Sequence, residues 1–483
     1  MHVPITKPLF AWDCLEDNPT LASIRAFLAS IPGGPLLDGL RRQRGHGRDD
    51  YPVHVLWGTL LLTILLRHVS VAATLEELQR NDALCRLLGI ESARHIPKAW
   101  NMSRFLDVLG QEPHLTDLRT TFDAMVRRLG VVVPDLGQRT AGDSAALNAR
   151  RSRQQPAPTK APAAAAPDAA APDADDQIEY DEHGLPQPAG GRKEYKDDQG
   201  AVTKVVEWFG YKFHLLVDVR HEVVLAYRVT STKTGDNEVI ADLVAQAQAN
   251  LPEGRIESLA YDKAADDEKV HEVLHDAGIK PVIHNRALWK GEQERLLPDH
   301  DGTSNIVYDE AGTVYCYDKV SAPPVRHRMA YIGHEPERGT LKYRCPARHE
   351  GWECPMSGIC NAGKSYGKTV RVKQEIDLRR FPPIPRGTKL FERLYKGRTA
   401  VERVNGRVKI YWGADDGNIT GATRFHAYVA TVMVVHVGLA TLLASTARRD
   451  GPLGEMALSP IAEALQEAMR AQPCGGGAAL KDT

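Results

Sequence analysis

The chain switches repeatedly between two hydrophobic periods. Up to about residue 135, apolar residues recur at three-and-four spacing in VHVLWGTLLLTILLRHVS, TLEELQRNDALCRLLGI, WNMSRFLDVLGQ and HLTDLRTTFDAMVRRLG, which predicts a run of helices. Small and β-tolerant residues around Asp143, after the apolar run VVVPDL, predict a strand with the acid at its exposed end. From Val202 the pattern alternates apolar and polar about a turn near Asp218 to Glu222, the mark of a hairpin. GDNEVIADLVAQAQANL returns to a helical period, with Asp236 or Asn237 as its cap. The stretch from Arg255 to Arg286 predicts strand, helix, strand, with Asp262 at the first strand's end and Asp266 and Asp267 as helix caps. Residues 287–392 are β-rich, with one hairpin around Glu310 to Gly312. In YKGRTAVERVNGRVKIYW, Val401, Val404, Val408 and Tyr411 form the buried stripe of one further helix. His426 to Ser445 is apolar all round and predicts a buried helix.

Composition changes this picture in two places. Residues 151–198 are rich in Pro, Ala and Asp and read as a disordered loop, because they offer too little apolar area to order themselves. The net charge of -1 conceals a basic block, since Lys364 to Lys409 carries 14 Lys+Arg against 4 Asp+Glu. Such a block favours a nucleic-acid partner, whose affinity comes largely from phosphate neutralisation. The N-terminus lacks the charged-then-apolar order of a secretory signal, so a cytoplasmic protein is expected. Val53 to Leu66 is too short to span a bilayer, and His436 interrupts the second apolar stretch, so no membrane is expected as a partner.

The helix around Glu402 carries the chemistry. Tyr395, Arg398, Glu402 and Lys409 stand at i, i+3, i+7 and i+14, so a continuous helix aligns an acid, two cations and a phenol along one sector beside the apolar stripe. The spacing Tyr-x2-Arg-x3-Glu-x6-Lys resembles the signature around the catalytic glutamate of bacterial DDE transposases of the insertion-sequence group. The resemblance implies an α/β fold: a ribonuclease-H-like mixed-sheet core interrupted by a mostly β insertion, preceded by an all-helical domain. It divides the chain into a DNA-binding domain (1–135), the first part of the core (136–286), the insertion (287–392), the end of the core (393–447) and a tail (448–483).

By that resemblance Asp143, Asp262 and Glu402 are the catalytic acids and hold two Mg2+ ions, with Mn2+ able to substitute. Ala264 supplies the small residue that follows the second acid, while Ala265 stands where the family usually has an aromatic. Tyr395, Arg398 and Lys409 are the expected DNA contacts, and Trp289 or Trp352 would hold an extruded base. Asn101 to Phe105 occupies the place of a helix-turn-helix-like segment, and Arg41, Arg42, Arg44 and Arg48 form either a solvated basic loop or an arm that grips DNA. The implied partners are double-stranded transposon ends and target DNA, bound by a homodimer at the nucleoid, for Mg2+-dependent cleavage and strand transfer. The alternative within this resemblance is an inactive, DNA-binding regulator.

Two other metal patterns compete for attention. His271-Glu272-x-x-His275 is a literal zinc-protease motif, but Pro281 stands where the longer form of that motif needs a third histidine. Cys316, Cys345, Cys354 and Cys360, with His349 nearby, are either a structural zinc site or reduced buried thiols.

Overall fold

The computed structural model describes residues 19–46, 50–150, 178–196, 201–291, 293–298, 305–416, 418–445 and 453. The N-terminal region is helical, as its periodicity predicts: α1 (Pro19–Ser30), α2 (Gly34–Arg44), α3 (Val53–Leu65), α4 (Val71–Arg80), α5 (Asp82–Leu87), α6 (Ala99–Leu109) and α7 (His114–Val132). Ser70 caps α4 through the Ala73 N–H and Asn81 caps α5 through that of Leu84, which satisfies donors that a helix start otherwise leaves open.

The central sheet is built from β1 (Arg139–Asn148), β2 (Ala189–Lys196), β3 (Val202–Asp218), β4 (Val224–Ser231), β5 (Ser258–Tyr261) and β6 (Lys280–Ile283). β3 lies antiparallel to both β4 and β1, whereas β5 runs parallel to β1 and β6 parallel to β5. This order, a hairpin set on the first strand followed by two parallel strands, is the ribonuclease-H arrangement. Helices α8 (Asp236–Asn250) and α9 (Glu268–Asp276) make the crossovers that parallel strands require. β5 and β6 are buried almost throughout, as expected of parallel strands covered on both faces.

β2 corrects the reading of residues 151–198 as a loop throughout. Its strand pairs with the first half of β3, beyond the reach of β1 and β4, so backbone pairing orders a segment whose side chains carry little apolar area. Residues 151–177 and 197–200 of that stretch lie outside the described residues.

The insertion follows β6. It holds a four-stranded antiparallel sheet of β7 (Glu294–Leu296), β8 (Ile306–Asp309), β9 (Val314–Asp318) and β10 (Val325–Arg328). A three-stranded sheet of β11 (Ala330–Glu335), β12 (Thr340–Arg344) and β13 (Thr369–Lys373) stands beside it, with the short helices α10 (Pro346–Glu350) and α11 (Ser357–Cys360) between β12 and β13. These sheets enclose a hydrophobic cluster of their own around Ile306, Leu341, Val372 and Phe381.

The chain then returns to the core as α12 (Lys389–Lys396), α13 (Thr399–Gly406), a π-helical turn at Arg407–Tyr411 and α14 (Ala422–Ser445). α14 lies against α1, α3, α6 and α7 and reaches β4. It is the one helix among the described residues long and apolar enough to cross a membrane, and 94% of its apolar window is buried inside the protein. The N-terminal helices, the sheet and α14 therefore share one continuous hydrophobic cluster, with no break at residue 135.

Candidate active site

Strand register brings two acids together. β1 pairs with β5 as far as Ala141 with Ala260, and two residues further along each chain segment Asp143 and Asp262 lie near enough for the Asp262 charge to raise the Asp143 pKa. Gly142 permits this approach, because a Cβ there would stand 2.2 Å from the Tyr261 ring that lies over β1. Asp262 follows β5 directly and accepts the Ala264 N–H at 2.9 Å, which caps a short 3-10 turn. Ala265, where an aromatic is usual, is fully buried without disturbing that cap.

The helix carrying Glu402 differs from the single rod expected. α12 ends at Lys396, Gly397 and Arg398 make a break, and α13 starts at Thr399. Val401, Val404 and Val408 are buried as predicted, but Trp412 takes the place expected for Tyr411. The physical reason is the π turn, whose extra residue shifts the following side chains by one position.

Arg398 joins the acids. Its guanidinium donates to Asp143 Oδ2 at 3.3 Å and to Glu402 Oε1 at 2.5 Å, so the positive charge of the cluster comes from the chain itself. Burial pushes the Asp143 carboxyl up to about 6; the Ser144 N–H and Arg398 oppose this, and the neighbouring Asp262 charge adds to it. Glu402 remains half exposed on the solvent side.

Tyr395 is held edge-on against His284, with ring centroids 4.1 Å apart, and parallel to Phe391 at 5.9 Å. Burial raises its phenol pKa, and the charges of Asp262 and Asp143 raise it further against Arg398. Lys409 points elsewhere: its ammonium donates to the Ala146 carbonyl at 2.6 Å and pairs with Asp415 at 3.0 Å, tying the π turn to β1. The break at Gly397 and the π turn together remove Lys409 from the sector shared by Arg398 and Glu402.

The tryptophans of the insertion are already engaged. Trp289 lies between the guanidinium groups of Arg295 and Arg380, 4.3 and 4.9 Å from its ring. Trp352 tilts against His327 and donates its indole N–H to Glu350 at 3.0 Å. Cys316, Cys345, Cys354 and Cys360 are free thiols that line one small cavity of about 20 Å³. Asn361 and Asn305 direct amide groups at the Cys345 and Cys360 sulfurs. Cys14 and Cys474 lie outside the described residues. Among the described residues, no group of three or more His, Cys, Asp or Glu side chains is arranged to hold a metal ion; this holds for the four cysteines, which converge without coordination geometry, and for Asp143, Asp262 and Glu402 alike.

The zinc-protease motif does not assemble either. His271 is buried and bonds Asp266 at 3.1 Å, whereas His275 lies on the exposed face of α9.

Three acids play parts that their neighbours in sequence do not reveal. Asp267 caps α9 as expected, but Asp266 is buried against Arg379, Arg386, His271 and the Arg286 N–H. Burial alone would raise its pKa, yet His271 and the two guanidinium groups pull it down to about 2. Asp236 is not the cap of α8; Gly235 takes that place and Glu238 reaches back to it. Asp236 instead accepts from Ser144 at 3.0 Å and pairs with Lys212 at 2.7 Å, one residue from Asp143. Glu222 sits behind α13 and binds two of its arginines. Helix-cap rules offered a ready explanation for the first two, and nothing in the local pattern marked the third.

A family model described as the transposase DDE domain matches residues 177–437, more than half of the chain. No curated protein matches it. The match takes in Asp262, Arg398, Glu402 and strands β2 to β6, while Asp143 and its strand β1 lie upstream of it. Of the two aspartates only Asp262 stands at a strand end; Asp143, expected at the exposed end of its strand, sits in the middle of β1, paired with Leu215 of β3. With that match over a mixed sheet and a β insertion, the chain belongs to the family of transposases with a DDE domain.

Proposed function

We propose that the chain cuts the ends of a DNA element and joins them to target DNA at Asp143, Asp262 and Glu402. The observation that supports this reading is the Arg398 guanidinium bridging Asp143 and Glu402, with Asp262 near enough for its charge to raise the Asp143 pKa. An all-carboxylate donor set is the kind that Mg2+ prefers, with Mn2+ as a substitute. Asp143, Asp262 and Glu402 would hold the ions, which when bound would neutralise charge at the scissile phosphate and make the attacking water or 3′-hydroxyl more acidic.

The side chains of the cluster prepare the rest. Arg398 neutralises Asp143 and Glu402 until a substrate phosphate offers its guanidinium a further anion to grip. Tyr395, braced by His284 and Phe391, keeps its hydroxyl toward the acids and orients the strand being cut. Lys409 acts through β1, holding the Ala146 carbonyl and hence the strand that carries Asp143. Double-stranded element ends and target DNA are the substrates, brought together by two copies of the chain.

The test uses a labelled duplex taken from the DNA flanking the gene. Glu402→Gln is expected to lose Mg2+-dependent cleavage while still shifting that duplex in a binding gel. Full cleavage by the folded variant would overturn the assignment of Glu402, and loss of binding together with cleavage would favour a role in DNA recognition.

A further inference from the structure

We infer that Glu222, in the turn between β3 and β4, is a positioning residue that sets where Glu402 stands; this rests on the proposed role of Glu402. Glu222 is buried, and its backbone holds a left-handed φ of 53°, a conformation a non-glycine residue keeps only when its surroundings enforce it. Its carboxylate faces back into α13 and the π turn. One oxygen accepts from Arg403 Nε at 2.6 Å and the other from Arg407 Nη2 at 2.7 Å, while Arg407 Nη1 reaches the Glu222 carbonyl at 3.4 Å. Arg403 is the residue after Glu402, and Arg407 is one turn further on with its side chain fully buried.

The same turn grips the start of the helix. Val219 presses on Gly397, where a Cβ would come within 2.8 Å of it, so the break that releases Arg398 rests on this turn as well. The turn is in its own right tied to the strand that bears Asp143. Asp218 accepts the Gly137 N–H at 2.7 Å, the Val219 N–H donates to the Arg139 carbonyl at 2.9 Å, and the Val224 N–H donates to His436 at 2.9 Å. The β3–β4 turn is thus a bracket with one arm on β1 and the other on α13, and it sets the separation of Asp143 from Glu402.

A bracket is needed because α13 has only eight residues, too few to hold its own direction, and Glu402 is half exposed with Arg398 as its hydrogen-bond donor. Charge-assisted hydrogen bonds to two successive turns fix both its rotation and its depth. Removing the carboxylate leaves α13 on its apolar stripe, free to roll about that stripe. Glu402 would then meet its partners in several orientations, and the requirement for divalent ions would rise.

Glu222→Gly tests this, since glycine accepts the left-handed turn; because the change also leaves the buried Arg407 without its carboxylate, the variant is assayed once circular dichroism shows it folded. The expected result is an Mg2+ concentration for half-maximal cleavage raised by about tenfold or more, the range seen when groups supporting metal ligands are lost. Binding of the flanking-DNA duplex should stay unchanged, and Mn2+ should restore part of the rate. Arg403→Gln, at a half-exposed position, keeps the buried Arg407 pair and so protects the test against misfolding; a smaller shift in the same direction is expected. Folded variants with the wild-type Mg2+ requirement would overturn the proposal. Glu402→Gln serves as the control: if it cleaves normally the reading of the site fails, and if it is inactive while Glu222→Gly behaves as wild type, only the role of Glu222 fails.

Discussion

At the residue scale, the buried carboxylates of this chain are decided by their partners. Asp266 has four donors and a pKa held near 2, below the ordinary 3.8, so its ionised form is favoured by folding. The sign follows from that depression. The stabilisation is fully present above about pH 4 and is lost as pH falls toward 2. Asp266→Asn leaves Arg379 and Arg386 buried with a weaker partner, and the expected loss is about 3–5 kcal/mol of unfolding free energy at neutral pH. Urea unfolding from pH 2 to 7 checks both statements: the wild type should lose stability across the acid window, and the variant should show a flatter profile from a lower plateau. Asp143 has the opposite balance, because burial outweighs Arg398 and the Ser144 N–H and leaves its carboxyl near 6. One chain thus carries an acid that its donors keep charged and another whose burial favours the neutral form.

At the element scale, legibility in the sequence follows the range of the forces involved. The β3–β4 hairpin, β5, α9 and β6 were readable because alternation, short apolar runs and an Asp cap act within a few residues. β2 was not, since nothing in AGGRKEYK competes with its composition until β3 offers a partner edge. The spacing from Tyr395 to Lys409 predicts one continuous helix, but the helix breaks at Gly397, against which Val219 packs, and turns π-helical at Arg407, where Lys409 is drawn to β1. A similar tertiary demand joins α6 to α14. A Cβ at Gly110 would lie 2.1 Å from the Thr423 carbonyl oxygen, a backbone atom with no rotamer in which to retreat. Gly110→Ala is therefore expected to cost about 1–3 kcal/mol through overpacking. Chemical denaturation measures it, and an unchanged midpoint would show that α14 can move away from α6 at no cost.

At the scale of the whole molecule, two hydrophobic clusters divide the labour. The larger runs from the N-terminal helices through the sheet to α14 and holds the strands and helix that align the acids. The smaller lies wholly within the insertion. Their connection is polar: Arg379 and Arg386, on the segment returning from the insertion, converge on Asp266 beside the start of α9, and Arg386 also donates to the Ile283 carbonyl at the end of β6. Polar junctions transmit position without merging two cores into one cooperative unit, so the insertion should open on its own. Leu341, fully buried in the central strand β12, provides the test. Leu341→Ala is expected to cost about 2–5 kcal/mol. In hydrogen exchange the lost protection should fall on β11, β12 and β13, while β1 and β5 keep theirs. An equal loss in both regions would mean that the Asp266 junction couples the clusters fully, and that a disturbance in the insertion reaches the central sheet through Arg379 and Arg386.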